Sequence, residues 1–185
     1  MFYWQFCNLF LNELGMTYVQ FKQSIGQMAE VIFLYLMPWF FIRYGVKKML
    51  LVGMFAWMFR FIFFGFGDLG YLSILLYTGL ALHGVCYDFF FVTGQLYTDK
   101  KAPKEIQAQA QGLISLITFG LGWFVGSLLA GKIVDAYSIV DSAGKIVGHH
   151  WQNIWIFPSI MAGVLIVFFS IYFNDKAVVG REGDE

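Results

Sequence analysis

Seven polar side chains stand in stretches that are otherwise apolar: Gln5, Asn8, Gln27, Glu30, His83, Tyr87 and Asp88. Gln5 and Asn8 are three apart, as are Gln27 and Glu30, while His83 and Tyr87 are four apart, so each pair shares one face of a helix. Asp88 lies about 100° round from Tyr87. Amides donate and accept hydrogen bonds, an ionised carboxylate accepts, and imidazole or phenol can do both. A carboxylate in apolar surroundings can also take up and release a proton, which a proton-coupled carrier requires. Glu30 is the first choice for that role and Asp88 the second. Four of the seven also have a plainer reading. Gln5 and Asn8 could bond across a helix interface as packing glue, Glu30 could hold a fixed structural hydrogen bond, and Asp88 could serve packing or gating. Arg60 also lies in an apolar stretch, and its partner is not visible in the sequence.

The composition says what must carry these groups. Of 185 residues, 59% are hydrophobic and 13% charged, against roughly 45–50% and about 25% in soluble domains. Too little polar surface exists to cover a soluble core, so the sequence predicts an all-α membrane protein in a lipid bilayer. Lys and Arg number 12 and so do Asp and Glu, which disfavours nucleic-acid binding. The 22 Phe, 10 Tyr and 6 Trp exclude disorder, and two Cys make no disulfide framework. No HExxH, GxSxG, CxxC or P-loop pattern is present, so neither an enzyme nor a metal or cofactor site is indicated.

Six apolar segments follow one another: 1–14, 22–42, 48–66, 71–94, 108–130 and 153–173. All but the first approach or exceed the roughly 17–25 residues of a spanning helix. The first is short and already apolar at Met1, so the chain is expected to begin partway into a span. Glu30 and His83 each lie about 11–12 residues from a helix end, near mid-membrane at 1.5 Å per residue. Arg43, Lys47, Lys48, Lys100, Lys101, Lys104, Lys176 and Arg181 fall on one side, and Lys22, Lys132 and Lys145 on the other. The positive-inside rule puts the first group, and the C-terminus, in the cytoplasm. Residues 1–173 then form the membrane unit and 174–185 a loose cytoplasmic tail. The segment 131–152 reads as a long external loop with His149 and His150 solvated. The last helix is apolar all round and reads as largely lipid-facing. Gly122 and Gly126, in GxxxG spacing, read as a close helix approach. Trp4 reads as packing, although it and Tyr87 could stack on a planar ligand.

Several runs, in order along the chain, carry a family resemblance. They are Gln5-Phe6-Cys7-Asn8 with Asn12-Glu13, Ser24-Ile25-Gly26-Gln27-Met28-Ala29-Glu30, Arg43-Tyr44-Gly45-Val46-Lys47, Ala56-Trp57-Met58-Phe59-Arg60-Phe61, Gly84-Val85-Cys86-Tyr87-Asp88-Phe89-Phe90, and Ala108-Gln109-Ala110-Gln111-Gly112. Together they resemble helices seven to eleven of bacterial nucleoside:proton symporters of the major facilitator superfamily. The resemblance implies the C-terminal six-helix half of a twelve-helix carrier in the bacterial inner membrane, with a missing N-terminal half as partner. It implies a nucleoside site touched by Gln5, Asn8, Gln27 and Glu30, with His83 and Tyr87 at the aromatic contacts, and a proton as coupling ion without other cofactors. Better-known members carry Tyr and Phe at positions 83 and 87, so hydrogen bonding at 83 differs here. Two alternatives stand beside this reading: a facilitator-type carrier of another small solute such as a sugar, and a truncated membrane protein that does not transport.

Overall fold

The computed structural model describes residues 1–174. Its described residues form α1 (Phe2–Glu13), α2 (Val19–Phe66), α3 (Ser73–Lys101), α4 (Lys104–Ala136) and α5 (Trp151–Tyr172). A short antiparallel hairpin of β1 (Ser138–Val140) and β2 (Ile146–His149) joins α4 to α5. Four of the helices, α2 to α5, are long and apolar enough to cross a membrane.

Six spans were expected, and the difference has two causes. α1 has 12 residues, fewer than the roughly 17–25 that a span needs. The expected second and third segments are joined in α2, which runs for 48 residues. A straight helix of that length would measure about 72 Å, more than twice the ~30 Å hydrocarbon core. It is not straight, because Gly45 has φ 70° and ψ 173°, a region that essentially only glycine enters. Both arms pack on α3. In the first, Gly26 meets His83, while Phe33 and Phe40 meet Phe89. In the second, Gly53 meets Phe90, Arg60 meets His83 and Phe64 meets Gly79. Contacts climb α3 along the first arm and descend it along the second, so the chain reverses at Gly45. A Gly45→Ala change is expected to cost about 1–3 kcal/mol and to lower the thermal unfolding midpoint in detergent. An unchanged midpoint would mean that the reversal does not depend on this backbone geometry.

The main core lies toward the hairpin. Phe10 and Leu11 of α1, Phe64 of α2, Leu76 and Leu80 of α3, and Ile154 and Trp155 of α5 are all buried there. A smaller cluster of Met37, Met49 and Phe89 sits toward Gly45. α5 is largely uncovered, as expected, but it is not bare. One face carries buried Ile154, Trp155, Pro158, Ser159 and Ile166, and Ser159 Oγ donates to the Met58 carbonyl at 3.2 Å. Most of the rest of the helix, including Ile160, Val164, Leu165, Val167, Phe168 and Ile171, is exposed. The least covered apolar helix is α4, where Leu113, Leu116, Leu121, Phe124 and Leu128 are exposed. Both helices carry long apolar runs without charge, 112–131 in α4 and 154–173 across α5, so their sequences do not say which one is packed. Of the GxxxG pair, one glycine is closely approached by another helix and the other is not. A β-carbon on Gly126 would meet the Met1 side chain, and one on Gly122 would meet only the Ile117 carbonyl of its own helix.

The segment 131–152 is not an irregular loop. It carries the end of α4 and the hairpin, whose turn is fixed by Asp141 Oδ1 accepting from the backbone N–H of Ala143 and of Lys145, each at 2.9 Å. The tail beyond Asn174, with Lys176 and Arg181, lies outside the described residues.

Candidate functional site

The site is built where α1 and both arms of α2 meet α3. His83 is its centre and is 1% exposed. Small residues let the backbones close around it. A β-carbon on Gly26 would lie 2.9 Å from His83 Cβ, and one on Gly84 would lie 2.5 Å from the Glu30 nitrogen. Two glycines therefore bring the first arm of α2 against α3 at the level of Glu30 and His83. Glu30 Oε2 stands 3.8 Å from His83 Nε2. On the other side of the ring, Arg60 Nη1 lies 3.0 Å from Nδ1. Arg60 is fully buried, with its guanidinium carbon 3.4 Å from the centroid of the Tyr3 ring. This supplies the partners that the sequence did not reveal, His83 and Tyr3.

The expected residues divide into three groups. Glu30 and His83 come together, and the Tyr87 ring lies 6.1 Å from the imidazole. Asn8 is half-buried and donates to Gln23 Oε1 at 3.4 Å, tying α1 to the first arm of α2, while Asn12 Nδ2 donates to Asn8 Oδ1 at 2.8 Å. Gln5 and Gln27 are exposed, one turn from Asn8 and Glu30 respectively. Asp88 is fully buried in α3, and neither carboxylate oxygen has a hydrogen-bond partner among the described residues. It begins a π-helical stretch with Tyr87 that ends at Val92, and its carbonyl accepts from Thr93 Oγ1 at 3.2 Å. Gln23 was missed in the sequence. It sits four residues before Gln27 on the same face, which is the spacing that could have found it.

Aromatic side chains frame the cluster. Successive ring contacts run from His83 to Tyr87, Phe91, Phe119, Trp123 and Trp4, and back to His83, at 5.2–6.4 Å between centroids. The circuit joins α1, α3 and α4. Phe91 and Phe119 both lie in π-helical stretches, Tyr87–Val92 and Leu116–Gly122. A cavity of about 350 Å³ lies beside this frame and is lined by Met1, Trp57, Phe91, Thr118 and Trp123, among others. The polar face is open at the amides, where Gln5 and Gln27 are exposed and Asn8 and Glu30 half-buried, and closed behind them at His83 and Arg60.

At the hairpin end, the expectation that His149 is solvated needs correction. Its side chain is 8% exposed, and Nδ1 lies 2.8 Å from Glu13 Oε1. Trp151 Nε1 donates to the other oxygen, Oε2, at 2.7 Å. Glu13 thus fastens the end of α1 to β2 and α5, a contact between residues 136 and 138 positions apart.

Four apolar helices of spanning length among the described residues, with amide and ionisable side chains gathered where α1, α2 and α3 meet, define a polytopic membrane protein. The comparisons name the group within that class. The chain belongs to the nucleoside H+ symporter family, whose model matches residues 1–177. It is 36% identical over 177 residues to YegT of Escherichia coli (strain K12), whose name carries nucleoside transport as a provisional assignment. That match covers 95% of this chain and 42% of YegT. It is 35% identical over 167 residues to the xanthosine permease of Escherichia coli (strain K12), covering 89% of this chain and 37% of the permease. A crystal structure of the nucleoside transporter NupG superposes with a TM-score of 0.79 at 28% identity, covering 91% of this chain and 44% of that one. The chain therefore spans about 40% of the length of the relatives it matches.

Proposed function

We propose that this chain supplies six membrane crossings, α1 and the two arms of α2 among them, to a proton-coupled nucleoside symporter. The observation that carries the reading is the meeting of Glu30 and His83 at 3.8 Å, beside exposed amides and an aromatic frame. A nucleoside is uncharged, with a flat base and a ribose rich in hydroxyls. Gln5, Asn8 and Gln27 can pair with base or sugar edges, Glu30 can accept from hydroxyls, and Tyr87 or Trp4 can stack on the base. Bonds of this kind discriminate well in a desolvated site, because a poor ligand leaves them unpaired.

The open polar face supports a second, opposing set of helices as partner, and the share of the relatives' length that this chain covers agrees with that. Closing and opening that shared cleft from alternate sides is the carrier mechanism. Glu30 is the first candidate for the group that exchanges a proton with the ligand-bound state, and Asp88 the second. The excess of Lys and Arg in the connections after the first arm of α2 and after α3 supports a cytoplasmic side there, with the C-terminus on the same side of a bacterial inner membrane.

The test is uptake by a graft in which this chain replaces the stretch of NupG that it matches. Unlabelled nucleosides are expected to displace labelled uridine, and hexoses are not. Displacement by hexoses alone would favour a sugar carrier.

A further inference from the structure

We propose that Arg60 is a positioning residue that fixes the tautomer of His83 and so aims its one N–H at Glu30. A guanidinium donates hydrogen bonds and accepts none. With Arg60 Nη1 at 3.0 Å from His83 Nδ1, that nitrogen must be the acceptor. The imidazole proton is then on Nε2, the atom that faces Glu30 Oε2 at 3.8 Å. This separation is too long for a direct hydrogen bond. A hydroxyl can bridge it from the side, accepting from Nε2–H and donating to the carboxylate. The pair so prepared fits a ligand hydroxyl, a group that ribose has and a bare base lacks. This rests on Glu30 and His83 belonging to the ligand face, but the tautomer can be tested without any ligand.

Arg60 is itself held in place. It is fully buried, and its guanidinium lies 3.4 Å from the Tyr3 ring centroid, with the Phe64 and Trp57 rings at 5.6 and 5.7 Å. Tyr3 also stacks on His83 at 5.3 Å between centroids. The arginine and the imidazole therefore share one aromatic wall, which limits both to this geometry. An arginine present only to fill space would need no lone pair in front of it.

The chain has three histidines, so a histidine-selective ¹⁵N label can be read nitrogen by nitrogen. The full chain is placed in lipid nanodiscs at neutral pH, and the His83→Gln spectrum assigns the His83 signals. Wild type is expected to show a protonated Nε2 and an unprotonated Nδ1 at residue 83. Arg60→Lys, which can still donate, is expected to keep that pattern, and Arg60→Met to populate the Nδ1–H form. A wild-type His83 carrying its proton on Nδ1, or on both nitrogens, would overturn the proposal. So would an Arg60→Met chain with the Nε2–H form undiminished. If Arg60→Met does not fold, Arg60→Gln, whose shorter side chain carries no charge, takes its place, and the wild-type spectrum alone can still overturn the proposal. None of these spectra depends on whether the ligand is a nucleoside.

Discussion

Glu30→Gln in the NupG graft is expected to abolish uphill accumulation of nucleoside while leaving downhill entry measurable. Gln keeps the size of Glu and one carbonyl acceptor, so ligand contacts at this position are largely retained. It cannot take up or release a proton. A gradient of one pH unit is worth about 1.4 kcal/mol per proton, enough for roughly tenfold accumulation at one proton per nucleoside. The substitution is expected to bring that ratio to about 1. The position supports so large an effect. Glu30 is half-buried, it faces a buried imidazole at 3.8 Å, and its helix is pressed against α3 through Gly26 and Gly84. Accumulation that survives Glu30→Gln would move the coupling role to Asp88, whose buried carboxylate oxygens have no partner among the described residues. Asp88→Asn would then be the variant that equilibrates.

Gly84→Ala is expected to be the most damaging small change at the site. The new methyl carbon would lie 2.5 Å from the Glu30 nitrogen, 2.6 Å from the Ala29 carbonyl carbon and 2.8 Å from its oxygen. These are backbone atoms of a helix and cannot rotate aside, so α2 and α3 must separate. Overpacking of this kind costs about 1–3 kcal/mol. Function is expected to suffer more than stability, because the same displacement draws Glu30 away from His83. Gly94→Ala is the matched control. It lies in the same helix with nothing within 4 Å of the added carbon, and it is expected to behave as wild type. Thermal unfolding in detergent and uptake by the graft read the two effects separately. If Gly84→Ala matched Gly94→Ala in both, the close approach would not matter.

Much of this was legible in the sequence because the signals are local. Hydrophobic runs mark the helices, the basic turn Arg43-Tyr44-Gly45-Val46-Lys47-Lys48 marks the reversal in α2, and polarity within apolar runs marks Glu30, His83 and Tyr87, which come together. What escaped depends on contacts between distant residues. Glu13 gives no sign that it pairs with His149 and Trp151 across more than 130 positions. Arg60 could not be matched with His83, because helical periodicity orders residues within one helix and not between arms. The π-helical stretches at Tyr87–Val92 and Leu116–Gly122 shift the register of two faces without any proline to announce them. The relative burial of α4 and α5 was hidden for a different reason. In lipid an exposed apolar face costs nothing, so hydrophobicity no longer distinguishes inside from outside.

Nucleoside accumulation by the graft under an imposed pH gradient tests the central claim most directly. With the chain correctly inserted, the account predicts that labelled uridine rises above its external concentration when the outside is acidic, that a protonophore collapses the rise, and that other nucleosides compete. An inserted graft whose uptake ignores the pH gradient, or yields to hexoses and not to nucleosides, would contradict it.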